Sequence, residues 1–504
     1  MGATSSICLP GAGAMRALMP RNRSQKFEDA SQSGVGTVDT QYRKTTLLSL
    51  PTELIEAVVQ EMDDDDVYSL SLLSRRLHFV ALPIFISRQP STLSHGCLHL
   101  YSSPLKLLRA ARIALFVQQL EVVTVDLLAQ EPILSIFRAL GRLFSRMRRV
   151  QSVSFDWPVF VTQSLDNDQV VKGLAGLMDI LREKACTAVI MSGMVPQSGR
   201  IGTRRSEISP LTTLKSLDIY FSVIASPPIR SWIIHTINTS PITRLSLAEV
   251  SLSADKSSFA KDLRLLTLPC LTDLSIVCRE NLPFNQLVAF LCRHRRILFL
   301  TLKCDTVINS SAPELPENTL PSLHTLHTTP RYIQHFLRPR GSLPSLRHVD
   351  IDPDLPPRLF NLPGVEQLST GRLVDLEGTL ECLAPRDRIT SLGIFLPLDG
   401  VANNWLTMGC HPQRGKRMDI ERSLVHIKTF HLRTNLNHLI NEETMSLIPK
   451  WLSLFPDLQY ADISALLGFK SSAEDETFLG AVADACPGMQ IVRLNLFDPP
   501  RTWD

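Results

Sequence analysis

The chain has 504 residues, with 44% hydrophobic and 20% charged residues and a net charge of +3. This composition excludes wholesale disorder, and the length exceeds one ordinary core unless the fold is elongated. Residues 1–46 carry six Lys/Arg (Arg16, Arg21, Arg23, Lys26, Arg43, Lys44) against three acids (Glu28, Asp29, Asp39). That surplus accounts for the whole net charge, so the body is balanced and offers no electrostatic footprint for nucleic acid.

The ten cysteines form no CxxC pair. With no secretory signal they read as reduced thiols of a cytoplasmic or nuclear protein. No run of about 18 apolar residues exists to span a bilayer.

The segment 1–46 is polar and is expected to be a disordered tail, because it cannot bury enough surface to offset its ordering entropy. It begins Met1-Gly2-Ala3-Thr4-Ser5-Ser6, which fits the N-myristoylation pattern. Gly2 is the candidate acylation site, and stable anchoring would need a second chain on Cys8 or a basic patch, with Arg16, Arg21 and Arg23 downstream. Peripheral membrane association is expected only if this acylation occurs. A chance match in a Ser/Gly-rich tail is the alternative.

Residues 47–88 read as three short amphipathic helices. Pro51 suits a first helical position, and Glu53 favours the helix dipole. Leu54, Ile55, Val58, Val59 and Met62 repeat at helical spacing and are expected on one face. Asp66 is the expected N-cap of a second helix carrying Val67, Leu70, Leu73 and Leu77. A third follows through Val80, Ala81, Ile84 and Phe85, with Pro83 bending or restarting it. A core this small is marginal alone and is expected to be completed by a partner.

Leu50-Pro51-Thr52-Glu53-Leu54-Ile55, then Asp66-Val67-Tyr68-Ser69-Leu70, then Leu73-Ser74-Arg75-Arg76-Leu77, resembles an F-box. The following Ala81-Leu82-Pro83-Ile84-Phe85 is similar to the version common in fungal F-box proteins. His78-Phe79 stands where many F-boxes have a Trp. The resemblance implies docking to the small Skp-family adaptor of a cullin–RING ubiquitin ligase. It implies that Leu50, Pro51, Leu54, Ile55, Val58, Leu70, Leu73 and Leu77 form or support the docking face.

From residue 89 to 504 the motif L-x-x-L-x-L recurs, with Ile, Val, Phe or Met allowed. Central positions fall at 217, 245, 274, 300, 326, 349, 368 and 392, with later copies at Phe430 and Ala461. The first and last copies read as Val117-Leu120-Val122, Val150-Val153-Phe155 and Ile491-Leu494-Leu496. Pro introduces several, as in Leu268-Pro269-Cys270-Leu271 and Leu320-Pro321-Ser322-Leu323. Each copy predicts one short strand, and the residues between, such as Trp232–Ile237 and Leu287–Cys292, predict helices. No single repeat closes a core, so neighbours must stack. The pattern resembles irregular leucine-rich repeats. The expected fold class is therefore an α/β repeat: a three-helix F-box-like domain followed by a curved solenoid of parallel strands over 89–504.

Residues alternating with the inward Leu positions would line the concave sheet of such a solenoid. They include Asp218, Tyr220, Arg244, Asp273, Phe299, Lys303, His327, His348, Asp350, Asp352, His431, Arg433, Tyr460 and Asp462. Tyr220, Arg244, Phe299, His327, His348, Asp350, Arg433 and Tyr460 are the candidate contacts for a protein substrate.

The chain contains no GxGxxG after a strand, no GxxxxGK[ST], no HExxH and no GxSxG. His95, Cys97 and His99 alternate along an expected strand but have no fourth metal ligand in sight. No catalytic residue, metal site or cofactor is expected. The sequence reads as a non-enzymatic adaptor that docks at its N-terminal helices and captures an unidentified protein on its repeats. A stand-alone repeat scaffold, membrane-tethered through the N-terminus and without a ligase role, is the alternative.

Overall fold

The structure is a computed structural model of the 504-residue chain. It describes residues 46–88, 91–94, 97–100, 120–126, 133–157, 168–193, 208–220, 227–248, 263–278, 282–304, 315–338, 343–352, 376, 378–396, 424–434, 442–463, 472–493 and 501–502. The expected tail with Gly2 and Cys8, His95, and the motif copy centred on Leu368 lie outside these residues. No helix among the described residues is long and apolar enough to cross a membrane. The chain divides into two compact units, 1–153 and 154–504.

The first unit opens with a 3-10 turn, Leu47–Ser49, and three helices: α1 (Thr52–Glu61), α2 (Asp64–Leu73) and α3 (Arg75–Arg88). Pro51 stands just before α1 rather than in its first turn. The cap of α2 is Asp63, not Asp66. The Asp63 carboxylate accepts the Asp66 N–H at 2.9 Å, and Asp64, Asp65 and Asp66 fill the first turn, where negative charge meets the positive end of the dipole. α3 runs through Pro83 without a break.

The apolar residues of α1 do not share one face. Ile55 and Val59, one turn apart, are buried, while Leu54 and Val58, also one turn apart, point outward. The buried pair joins Val67, Leu70, Leu77, Val80, Ala81 and Phe85 in a small core. Two arginines of α3 grip both ends of α1. The Arg76 guanidinium donates to the carbonyls of Leu48 and Leu50 before the helix. The Arg88 guanidinium donates to the carbonyls of Val59, Gln60 and Met62 at its end, where helix geometry leaves the last carbonyls short of partners, and the Val59 carbonyl also accepts the Met62 N–H.

The first unit continues with β1 (Ser91–Ser94) and β2 (Cys97–Leu100), an antiparallel pair. Then come β3 (Val122–Asp126), parallel to β2, and α4 (Ile133–Arg146). β4 (Ser152–Trp157) starts where the unit ends. Leu98 pairs with Val123, and Leu120, Val123 and Val125 are the buried residues. The first motif copy is therefore Leu120-Val123-Val125, three residues later than the spacing predicts.

The second unit is an α/β repeat. Its strands are β5 (Ala188–Gly193), β6 (Ser216–Tyr220), β7 (Arg244–Ala248), β8 (Asp273–Cys278), β9 (Phe299–Cys304) and β10 (Thr325–Thr328). They continue as β11 (His348–Ile351), β12 (Ser391–Leu396), β13 (Thr429–Thr434), β14 (Tyr460–Asp462) and β15 (Ile491–Arg493). Each pairs in parallel with the next. A final strand, β16 (Arg501–Thr502), pairs antiparallel to β15. Helix α5 (Asp168–Glu183) precedes β5, and α6 (Pro227–Thr239), α7 (Phe284–Arg293), α8 (Pro330–Leu337), α9 (Glu442–Leu452) and α10 (Ser472–Ala485) lie between the strands in sequence. The expected helices at Trp232–Ile237 and Leu287–Cys292 fall inside α6 and α7.

The register aligns Leu217, Leu245, Leu274, Leu300, Leu326, Val349, Leu392, Phe430, Ala461 and Val492 in one buried row. Val349 pairs directly with Leu392. The last copy is framed on Met489 and Val492, both buried, two residues before the expected frame.

The same device opens each strand. The first two N–H groups share one carbonyl of the preceding repeat: Lys215 O accepts Thr243 and Arg244, Thr243 O accepts Thr272 and Asp273, and Thr272 O accepts Leu298 and Phe299. A carbonyl has two lone pairs and satisfies both donors. The prolines have a local role. In Leu268-Pro269-Cys270-Leu271 the Leu271 N–H donates to Leu268 O, and Leu323 and Leu346 repeat this onto Leu320 and Leu343. Pro suits the second position of such a turn because its φ is preset.

Helix side chains bond the turn of a neighbouring repeat. Asn238 Nδ2 donates to Leu265 O at 2.9 Å, and its Oδ1 accepts the Thr267 N–H at 2.8 Å. One repeat later, buried His294 does the same work. Its Nε2 accepts the Leu268 N–H at 3.1 Å, and its Nδ1 lies 2.8 Å from Phe290 O. Both contacts require the neutral tautomer with the proton on Nδ1. Burial pushes the His294 pKa down from 6.5, Arg293 adds to this, and the Phe290 carbonyl opposes it only in part.

The consequence for stability has a definite sign. Below pH 6.5 the unfolded chain takes up a proton that folded His294 refuses, so this contribution is full above that value and falls as the pH drops through the window. Thermal melts of wild type and His294→Gln from about pH 7.5 to about pH 5 are expected to show a steeper loss in wild type. Parallel pH slopes would contradict this assignment. His294→Ala strands a buried N–H and is expected to cost about 1–3 kcal/mol.

Candidate functional site

Side chains alternate across a strand, so burying the Leu row turns its neighbours to the opposite face of the sheet. From β9 to β14 that face carries a row of aspartate–histidine pairs. His327 Nε2 of β10 lies 3.5 Å from Asp352, the residue after β11, whose Oδ2 also meets Lys303 Nζ of β9 at 2.5 Å. Within β11, His348 Nε2 lies 3.0 Å from Asp350 Oδ1. Nδ1 of the same ring meets Ser391 Oγ at 2.6 Å. Arg433 of β13 reaches Asp350 Oδ2 at 3.8 Å. On β13 and β14, His431 Nδ1 lies 3.6 Å from Asp462.

Aromatic rings tie these pairs together. Phe395 of β12 stacks on His327 with centroids 5.0 Å apart and planes 9° from parallel. Lys303 Nζ and Arg433 Cζ stand 5.3 and 5.7 Å from the same Phe395 centroid, within cation–π range. His431 packs edge-on against His348 at 5.6 Å and near Tyr460 at 5.8 Å.

Gly393 makes this possible. It pairs with Asp350 in the register, and a Cβ at this glycine would come within 1.8 Å of Asp350 Oδ1. The carboxylate therefore lies over β12, where only a glycine leaves room, and so reaches toward Arg433. Gly393 and Phe395 were not among the expected site residues. The available signal was a glycine inside a strand, which marks close approach of another group.

The electrostatics follow from depth. Burial would raise the Asp350 pKa, but His348, Arg433 and His327 outweigh it and hold the group below 3.8. For Asp352 the same burial is outweighed by His327 and Lys303. Asp218 of β6 is different. Burial raises its pKa, and Arg244, 3.7 Å away, does not compensate. The Arg244 side chain is 62% exposed, so water screens its charge.

Of the candidate substrate contacts, the fold brings His327, His348, Asp350 and Arg433 together, with Tyr460 beside them through His431. Arg244 is not in this cluster and pairs with Asp218. Phe299 opens β9 and is 47% exposed. Tyr220 ends β6 opposite Ala248. Among the described residues no group of three or more His, Cys, Asp or Glu is placed to hold a metal ion. Burial pushes the Cys186 thiol up to about 12 and the Cys486 thiol up to about 11, which leaves both inert as nucleophiles at neutral pH.

The three-helix segment presents a second surface. Leu54, Val58 and Leu73 stand outward, with Leu48 and Leu72 beside them in sequence. Pro51 is exposed and Leu50 half-buried. Ile55, Leu70 and Leu77 are core residues that support this surface from beneath rather than line it. Arg76, three residues after Leu73, bonds the Leu48 and Leu50 carbonyls and so ties α3 to the segment that leads into α1. Its own contacts are to carbonyl oxygens and, at 3.5 Å, the Thr52 hydroxyl.

No protein-family model matches the sequence, and no curated protein matches it.

Gly393→Ala is expected to expel the Asp350 carboxylate from its place over β12 and to lower stability by about 2–4 kcal/mol, read by chemical denaturation. Asp350→Asn removes a group whose folded pKa is depressed. Its stabilisation is present above pH 3.8 and is lost as the pH falls through the folded value. Wild type should therefore lose its advantage over the Asn variant on acidification below about pH 4. An advantage unchanged by acid would show that Asp350 gains nothing from His348 and Arg433.

Proposed function

We propose that this chain is the substrate-recognition adaptor of a Skp–cullin–F-box type ubiquitin ligase. In this reading residues 47–88 are an F-box that holds a Skp-family adaptor. The repeats are irregular leucine-rich repeats that capture a protein substrate on the polar face of the sheet. The chain is not an enzyme, carries no cofactor and works in the cytoplasm or nucleus. Its contribution to catalysis is proximity, and the bond-making steps belong to other subunits.

One observation carries the reading. The stretch that resembles an F-box exposes Leu54, Val58 and Leu73, with Leu72 at 53% and Leu73 at 73% exposed. Large apolar side chains so open at the ends of two short helices are costly in water and favour cover by a partner. Arg76 and Arg88 hold α1 in place without using those side chains. The surface is thus preformed, which lowers the ordering cost of association.

Burying one such Leu against a partner is worth about 1.5–3 kcal/mol. Leu54→Ala with Leu73→Ala is expected to weaken binding of purified Skp-family adaptor by on the order of a hundredfold in Kd. The melting temperature should barely change, because neither side chain is in the core. The measurement is a calorimetric titration of full-length wild type and double variant. Failure of wild type to bind the adaptor would end the ligase reading.

A further inference from the structure

We propose that the sheet face centred on Phe395 is a binding groove for an extended acidic peptide, with carboxylates on alternate residues seated on Lys303 and Arg433. This deepens the capture half of the proposed function by naming the chemistry captured, and it does not depend on the docking half.

The first observation is a separation of charge by depth. In three ion pairs of this face the acid is sunk and the base stands above it. Side-chain exposures are 30% for Lys303 against 9% for Asp352, 38% for Arg433 against 8% for Asp350, and 62% for Arg244 against 7% for Asp218. The aspartates therefore act as internal counter-ions that fix the cations in position. Lys303 and Arg433 are the members of their pairs that approaching solutes meet first.

Those cations keep donors to offer. Lys303 has three N–H donors and Arg433 five. Among the described residues their carboxylate contacts are to Asp352 for Lys303 and to Asp350 for Arg433. An incoming carboxylate can take charge-assisted bonds from the remaining donors.

The spacing selects an extended chain. Lys303 Nζ and Arg433 Cζ lie 5.3 and 5.7 Å from one ring centroid, so they are at most about 11 Å apart. Side chains at i and i+2 of a strand share a face and rise about 6.6–6.8 Å along it. Two glutamates at such positions span this gap with room to adjust. The backbone of the intervening residue passes over half-buried Phe395 and its stacked partner His327, while its side chain points away from the sheet. Exposed Phe299 on β9, the strand of Lys303, extends the apolar floor. Aromatic and Arg side chains at the centre of a patch are the composition that carries interface energy.

The test uses the full chain with no adaptor present. The probe is a fluorescein-labelled twelve-residue peptide of alternating Glu and Ala, read by anisotropy at about 0.1 M salt. The same peptide with Gln or Lys in place of Glu serves as comparison, and a single-stranded oligonucleotide of similar charge as polyanion control. The Glu peptide is expected to bind at least tenfold tighter than either other peptide and tighter than the oligonucleotide. Lys303→Gln with Arg433→Gln should weaken it tenfold or more, Arg433→Lys should retain most of the binding, and Arg244→Gln should change it less than twofold. Thermal melts of each variant report folding, and Arg433→Lys with Arg244→Gln keep the comparison open if the double variant fails to fold. Equal binding of the three peptides, preference for the oligonucleotide, or loss on Arg244→Gln equal to that on the cluster variants would overturn the proposal. A negative result leaves adaptor binding by the helices untouched, and a failed adaptor titration leaves this groove untouched.

Discussion

The register between neighbouring parallel strands is the constraint on which the second unit depends. One carbonyl per repeat accepts the first two N–H groups of the next strand, and this shared bond fixes where each strand begins. A slip of one residue would turn every buried Leu outward and every face residue inward. Because the register holds from Leu217 to Val492, residues more than a hundred positions apart in sequence arrive on one face. Lys303 and Arg433 meet over Phe395 for this reason and for no local one. The Pro-initiated turns and the Asn238 and His294 bonds hold the connections to the same alignment.

Once that face exists, burial decides how its charges behave. Asp350 and Asp352 are deeply placed, yet each is held in its ionised form by a histidine and a cation together, His348 with Arg433 for Asp350 and His327 with Lys303 for Asp352. Asp218 is as deep, but its one cationic partner is largely in water, and its carboxyl is pushed the other way. A buried carboxylate stays ionised where its hydrogen-bonding and charged partners together outweigh its lost hydration. Gly393 is part of that arrangement, because its missing side chain is the space the Asp350 carboxylate occupies. The loss expected on adding a methyl there measures a charge network rather than backbone freedom.

Much of this was legible in the sequence. The Leu spacing located the strands from β6 to β11, and β12 through Leu392. The alternation assigned His327, His348, Asp350 and Arg433 to one face. The misreadings share a cause. Near Leu120 and Ile491 the chain is apolar at several adjacent positions, so more than one frame fits the motif, and pairing with Leu98 and Ala461 decides between them. In α1, spacing showed which residues are apolar but not that Ile55 and Val59 face α3 while Leu54 and Val58 face out. Asp63 to Asp66 are four candidate caps of identical chemistry, and backbone geometry selects the first. The role of Gly393 was not legible, because nothing local says that a carboxylate from the neighbouring strand will cross it.

The helices and the sheet face embody two ways of leaving binding energy unspent. The helices keep Leu54, Val58, Leu72 and Leu73 in water, with α1 held by arginine contacts to backbone carbonyls at both ends. The sheet keeps cations above buried acids. The first suits an apolar partner of fixed shape and the second a charged, extended one. Amide hydrogen exchange of the full chain with and without purified Skp-family adaptor tests this division most directly. The account predicts slowed exchange confined to the segment from Leu48 to Leu73, with β9 to β14 unchanged. Slowed exchange on those strands, with none in the helices, would contradict it.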